Sequence, residues 1–145
     1  MNLLLDTSVL VDWLRASKHE EIVTSGGSWG IRLLSGIVAM ELLAGTPHPR
    51  EQRLLDRLLG RFAARDRILC PTVEEFSRAG RILRRLRAEG HPVTSAGFLN
   101  DVILSVQARH HGLVVATTNR RHFLPLATII GCRVLFVDHT PPALV

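Results

Sequence analysis

Short uninterrupted apolar runs alternate along the chain with longer stretches whose apolar residues recur every three or four positions. The runs are NLLL (2–5), IRLLS (31–35), RILC (67–70), LVVAT (113–117) and RVLFV (133–137). Runs of this length without polar alternation suit strands covered on both faces, as in a parallel sheet. Between them, Val9, Leu10, Trp13 and Leu14 have helical spacing, with Thr7 or Ser8 available as the cap. Residues 37–44 predict a helix that stops at Gly45, with Pro47 and Pro49 behind it. Leu54, Leu55, Leu58, Leu59 and Phe62 form one face of a helix over residues 51–64. Pro71 and Thr72 open a helix reaching about Glu89, with Phe76, Leu83 and Leu86 in its apolar stripe and Gly90 and Pro92 at its end. Residues 97–111 predict a further helix, and TSGGSWG (24–30) a turn. The alternation predicts an α/β fold: a single domain over 1–145 with a mostly parallel central sheet flanked by helices. Ligands of such sheets bind beyond the carboxyl ends of the strands, where the strand order reverses.

The composition changes this picture little. The chain has 145 residues, 46% hydrophobic and 21% charged, ordinary values for a globular domain with a proper core. No apolar run is long enough to span a membrane, and the N-terminus lacks the features of a signal peptide, so a cytoplasmic protein without a membrane partner is expected. Cys70 and Cys132, both in strand-like runs, are expected to be buried free thiols. The net charge is +5, and every basic residue except Lys18 is arginine. Such a surface attracts phosphate or an acidic partner. The arginine rows at 53, 57, 61 and at 78, 81, 85 are expected to be solvated helix faces.

Four polar groups fall where the pattern calls for apolar ones. Asp6 ends the first strand, and Asn119 follows LVVAT at the end of another. Glu41 shares a helical face with Ile37 and Val38, and Asp101 lies beside the stripe of Val102, Ile103 and Val106. An inward carboxylate is costly unless it is paired or bound to a metal. No lysine or arginine occupies the matching inward positions of these segments. Three acids referred to one sheet edge point to a shared hard cation, Mg²⁺ or Mn²⁺.

Other chemistries of this architecture lack their residues. An aspartyl-nucleophile phosphatase needs an acid two residues after the first, where Ser8 stands. A phosphorylation receiver needs an acid pair and a late lysine. No glycine-rich phosphate loop follows a strand, and no Ser/His/Asp set stands out. The histidines lack zinc-ligand spacing; His110 and His111 are adjacent and expected to be exposed.

The segments LLLDTSVLVDWL, GIVAMELLAG and FLNDVILSVQARHHGLVVATTNRRHF resemble, in that order, the motifs of PIN-domain ribonucleases, and among them the VapC toxins of bacterial toxin–antitoxin pairs. The resemblance runs from Leu3 to Val137. It implies a PIN-like fold, an endoribonuclease dependent on Mg²⁺ or Mn²⁺, a homodimer, an RNA substrate such as tRNA or rRNA, and a cognate VapB-type antitoxin. It gives Asp6, Glu41 and Asp101 the acidic catalytic and metal positions, and Ser8 and Thr117 the polar positions that orient ligands or water. Asn119 stands where many members carry a fourth acid, which leaves three carboxylates and an amide and implies one firmly bound cation. Arg120 and Arg121 are candidates for holding flanking phosphates. Two other readings stay open: a nucleic-acid-binding protein with a weakened site, for which Asn119 speaks, and a metal-dependent phosphoesterase acting on a small phosphorylated metabolite.

Overall fold

The computed structural model describes residues 1–24 and 29–137, so most of the turn expected at 24–30 lies outside the described residues. Among the described residues five strands form one sheet: β1 (Leu3–Leu5), β2 (Arg32–Ser35), β3 (Ile68–Leu69), β4 (Val114–Thr117) and β5 (Arg133–Phe136). Their order is β3-β2-β1-β4-β5, and every pairing is parallel. The chain winds outward from β1 to β3 and then returns to the other side of β1 for β4. The strand order therefore reverses between β1 and β4, which is where a crevice opens in such sheets. Leu3, Leu4 and Leu5 are all buried, so both faces of the central strand are covered.

Seven helices are present among the described residues: α1 (Thr7–Ala16), α2 (Glu20–Val23), α3 (Gly36–Gly45), α4 (Pro49–Ala63), α5 (Val73–Ala88), α6 (Ala96–His110) and α7 (Arg120–Ile130). The first four pack on one another, as do the last three. The larger core joins β1 to Val9, Leu10, Leu14, Leu55, Leu58 and Phe62, so the apolar faces read on α1 and α4 turn inward as their spacing requires. A smaller core of Ala79, Val102, Val106, Leu126 and Ile130 joins α5, α6 and α7. Among the described residues no helix is long and apolar enough to cross a membrane.

Several expectations are corrected. The cap of α1 is neither Thr7 nor Ser8 but Asp6, whose carboxylate accepts from the Ser8 backbone N–H. Cys132 is buried, but Cys70 is exposed, because β3 is only two residues long and ends before it. On α5 the buried positions are Glu75, Ala79 and Leu86, while Phe76 is exposed. Thr72 caps that helix in a reciprocal capping box with Glu75, which turns Glu75 back toward the helix start. The pattern gave no helix over 120–130, since Pro125 interrupts it. Arg32 is buried, but at the far end of β2 from the acids; its guanidinium donates to the carbonyls of Ile22, Glu21 and Gly30. Both arginine rows are exposed, as expected of solvated faces.

Candidate active site at the carboxyl edge of the sheet

Register sets the first contact. Leu5 pairs with Ala116, and the Asp6 N–H donates to the Ala116 carbonyl at 3.0 Å, so Asp6 leaves β1 alongside Thr117 at the end of β4. The Thr117 hydroxyl donates to Asp6 Oδ2 at 2.7 Å, and the Ser8 hydroxyl donates to the same oxygen at 2.6 Å. Each hydroxyl also accepts a backbone N–H: Ser8 Oγ from Thr118 at 3.0 Å, and Thr117 Oγ1 from Asn119 at 2.9 Å. A hydroxyl has a single proton, so these acceptor contacts leave both protons to Asp6. The bonds from Ser8 and from the Thr117 hydroxyl fall on Oδ2, so neither hydroxyl occupies Oδ1.

Glu41 comes from α3 and bridges two other helices. Its Oε2 accepts the Thr7 hydroxyl of α1 at 2.5 Å, and its Oε1 accepts the Asn100 amide of α6 at 2.6 Å. Asp101, the next residue of α6, is buried and places Oδ2 2.6 Å from Nδ1 of His122 on α7. The His122 and Phe98 rings also meet in a T-shaped arrangement, with centroids 5.3 Å apart.

Electrostatics at this edge show a surplus of negative charge. Burial, then the charges of Asp6 and Glu41, push the Asp101 carboxyl up to about 8. Burial also raises Asp6, against the lowering effect of its bonds from Ser8 and Thr117. Among the described residues no lysine or arginine forms an ion pair with Asp6, Glu41 or Asp101. The carboxylates do not close into a tight cage, since no set of oxygens from all three lies mutually within 4.8 Å.

The sequence-predicted residues divide accordingly. Asp6, Ser8 and Thr117 form one hydrogen-bonded unit, and the charges of Asp6 and Glu41 raise the Asp101 carboxyl. Asn119 is at this edge, but its Oδ1 accepts the His122 N–H at 3.3 Å and caps α7. Arg120 lays its guanidinium over the Phe136 ring, 4.5 Å from the centroid. Arg121 lines a cavity of about 390 Å³ together with Ser95, Phe98 and His122. Sequence reasoning missed Thr7, Asn100 and His122. The available signal for His122 was its place three residues after a capping Asn, within the first turn, where side chains lean back toward the helix start.

The PIN domain family model matches residues 3–127, which takes in Asp6, Glu41, Asp101 and His122. The chain belongs to the PIN domain family. Solved structures share this fold. A chain of VapBC2 from Rickettsia felis, bound to a DNA fragment from their promoter, superposes with a TM-score of 0.69 at 17% identity, covering 95% of this chain and 100% of that one. A chain of DNA-bound VapBC from Salmonella typhimurium gives 0.68 at 21% identity, covering 94% and 98%. A chain of FitAcB from Neisseria gonorrhoeae gives 0.66 at 24% identity, covering 93% and 96%. No curated protein sequence matches the chain. Within this PIN domain, Asp6 leaves the carboxyl end of β1 beside Thr117 at the end of β4, the point that the topology designates as the crevice.

Proposed function

We propose that this PIN domain is a metal-dependent endoribonuclease that acts as the toxin of a VapBC-type pair. The observation that carries the reading is the convergence of Asp6 and Asp101, with Glu41 close enough to act on Asp101, at a sheet edge where no lysine or arginine of the described residues pairs with them. A divalent cation relieves that repulsion and displaces the proton that Asp101 otherwise keeps. Oxygen ligands suit Mg²⁺ or Mn²⁺.

Asp6 and Asp101 would hold the ion, Asp6 through the Oδ1 that its hydroxyl partners leave open. Glu41 has a donor on each oxygen and would reach the ion through a water. When bound, the ion supplies Lewis acidity toward a phosphodiester and lowers the pKa of a bound water. Ser8 and Thr117 fix the Asp6 carboxylate, and His122 orients Asp101 and holds a proton at Nδ1 or at Oδ2. Arg121, beside His122, and Arg120 would hold flanking phosphates of a polymer. No side chain serves as a nucleophile in this scheme, so the attacking group is water.

The VapBC and FitAcB assemblies support an antitoxin as the partner, and the positive charge of +5 suits an acidic segment of it. The same reading takes residues 1–145 as one domain, acting in the cytoplasm as a homodimer on tRNA, rRNA or another RNA. The test is cleavage of RNA and of small phosphoesters by the purified chain with EDTA, Mg²⁺ or Mn²⁺. Metal-dependent RNA cleavage that is lost in Asp6→Asn is expected. Binding of RNA without cleavage would make the chain a nucleic-acid-binding protein, and turnover of small phosphoesters alone would make it a phosphoesterase. Growth arrest on expression, relieved by an adjacent small gene, tests the toxin role separately.

A further inference from the structure

A second set of metal-type ligands lies away from the acidic edge. Glu75, in the first turn of α5, is only 2% exposed. Its Oε2 accepts the Thr72 backbone N–H at 2.9 Å, which fixes the carboxylate. Its Oε1 meets two histidines from the end of α6 and the residue after it: His110 Nδ1 at 2.7 Å and His111 Nε2 at 3.1 Å. The two imidazoles lie side by side, 4.9 Å between centroids and tilted by 31°. Among the described residues this is the one group in which three His, Cys, Asp or Glu ligand atoms all lie within 4.8 Å of one another. Nine residues of helix separate His110 from Asp101, a rise of about 14 Å, so the two sites are distinct.

We propose that Glu75, His110 and His111 form a second divalent-metal site, selective for Zn²⁺ and similar transition ions, that ties the start of α5 to the end of α6. Two imidazole nitrogens and one carboxylate oxygen are a common zinc donor set, and the nitrogen ligands disfavour Mg²⁺. Bonds of about 2.0–2.1 Å to a tetrahedral ion put ligand atoms about 3.3 Å apart. The contacts of 2.7 and 3.1 Å need to open by only a few tenths of an ångström. The histidines can supply that movement, because their side chains are 50% and 38% exposed, while Glu75 stays fixed. Their exposure also leaves the fourth position to water or to a ligand from solution.

The metal-free arrangement is consistent with such exchange. Burial raises the Glu75 carboxyl, but the Thr72 N–H and the two histidines outweigh it and hold the group below its ordinary range. The carboxylate is therefore kept ionised, with its free oxygen turned to the two rings. A cation would replace the protons that the rings share with it. The adjacency of the two histidines in sequence is compatible with this because one ligates through Nδ1 and the other through Nε2.

The test uses untagged full-length chain, with the acidic edge silenced by Asp6→Asn so that only the second site is read. Titration with Co²⁺ should give one equivalent with the strong visible bands of a four-coordinate ion, and Zn²⁺ should displace it and raise the Tm. His110→Ala and His111→Ala, both exposed positions, should keep the fold and weaken binding by at least the 10–100-fold that loss of an outer partner costs, roughly. Glu75→Gln should do the same. Full affinity in Glu75→Gln would reduce the feature to a surface histidine pair, and absence of Co²⁺ binding in the parent would reduce it to an ion pair. Either result overturns the proposal.

Discussion

His122 Nδ1 lies 2.6 Å from Asp101 Oδ2, so a histidine of α7 meets the acidic edge at Asp101. Asn119 starts that helix and accepts the His122 N–H. The amide therefore serves the site by delivering the histidine. His122→Ala should lower RNA cleavage about 10–100-fold with the fold intact. His122→Asn should recover part of the loss, because its amide nitrogen can stand where Nδ1 stands. Equal activity in parent and His122→Ala would remove the histidine from the site.

Asp101 makes stability depend on pH. Its pKa is raised from 3.8 to about 8 by burial first and by Asp6 and Glu41 next. A raised carboxyl contributes stability that is fully present below pH 4 and is lost as pH rises through 8. Metal-free Asp101→Asn should thus melt above the parent at pH 8, by an amount worth a few kcal/mol, with the gap closing near pH 4. Added Mn²⁺ should raise the parent's Tm at pH 8 by more than the variant's. Thermal melts in EDTA and in Mn²⁺ at both pH values decide the point.

Much of this site was legible because it obeys periodicity. Asp6 interrupts an apolar run, and Glu41 and Asp101 fall on apolar stripes, so each declared itself as an inward acid; Asp6 and Asp101 are buried and Glu41 half-buried. The parallel sheet followed from the alternation of these runs with helical stretches. What escaped depends on contacts between distant segments. Asn100 and Thr7 look like an ordinary helix residue and a cap until the fold brings Glu41 between them. Helix α7 was hidden by Pro125, and His122 with it. On α5 the stripe through Leu83 and Leu86 suggested Phe76, but the capping box and two histidines 35 and 36 residues on draw Glu75 inward instead.

Asn119→Ala should cost about 1 kcal/mol through loss of the α7 cap, and cleavage should fall with it as His122 loses its register. Asn119→Asp should keep stability, since Asp caps as well and its charge suits a helix start. With the side-chain oxygen committed to His122 N–H, the aspartate should leave Mn²⁺ affinity near the parent value. Calorimetric titration would show otherwise if the aspartate turned to the ion, as a clear tightening.

Glu41 offers the sharpest test of how the edge is held. Both of its oxygens carry donors, Thr7 at 2.5 Å and Asn100 at 2.6 Å, so its direction is set by α1 and α6 together. Thr7→Val removes one donor and Asn100→Leu the other, with little change of shape. Each should weaken Mn²⁺ binding on the order of tenfold, as loss of an outer partner does. Glu41→Gln should cost more, because its amide presents N–H groups to a donor and gives up the charge that acts on Asp101. Since all three changes act through one carboxylate, their effects should not add: in the Glu41→Gln background, Thr7→Val should cost almost nothing. Full additivity in that double-mutant cycle would mean that Thr7 serves only as the first residue of α1, and that Glu41 meets the ion without its help.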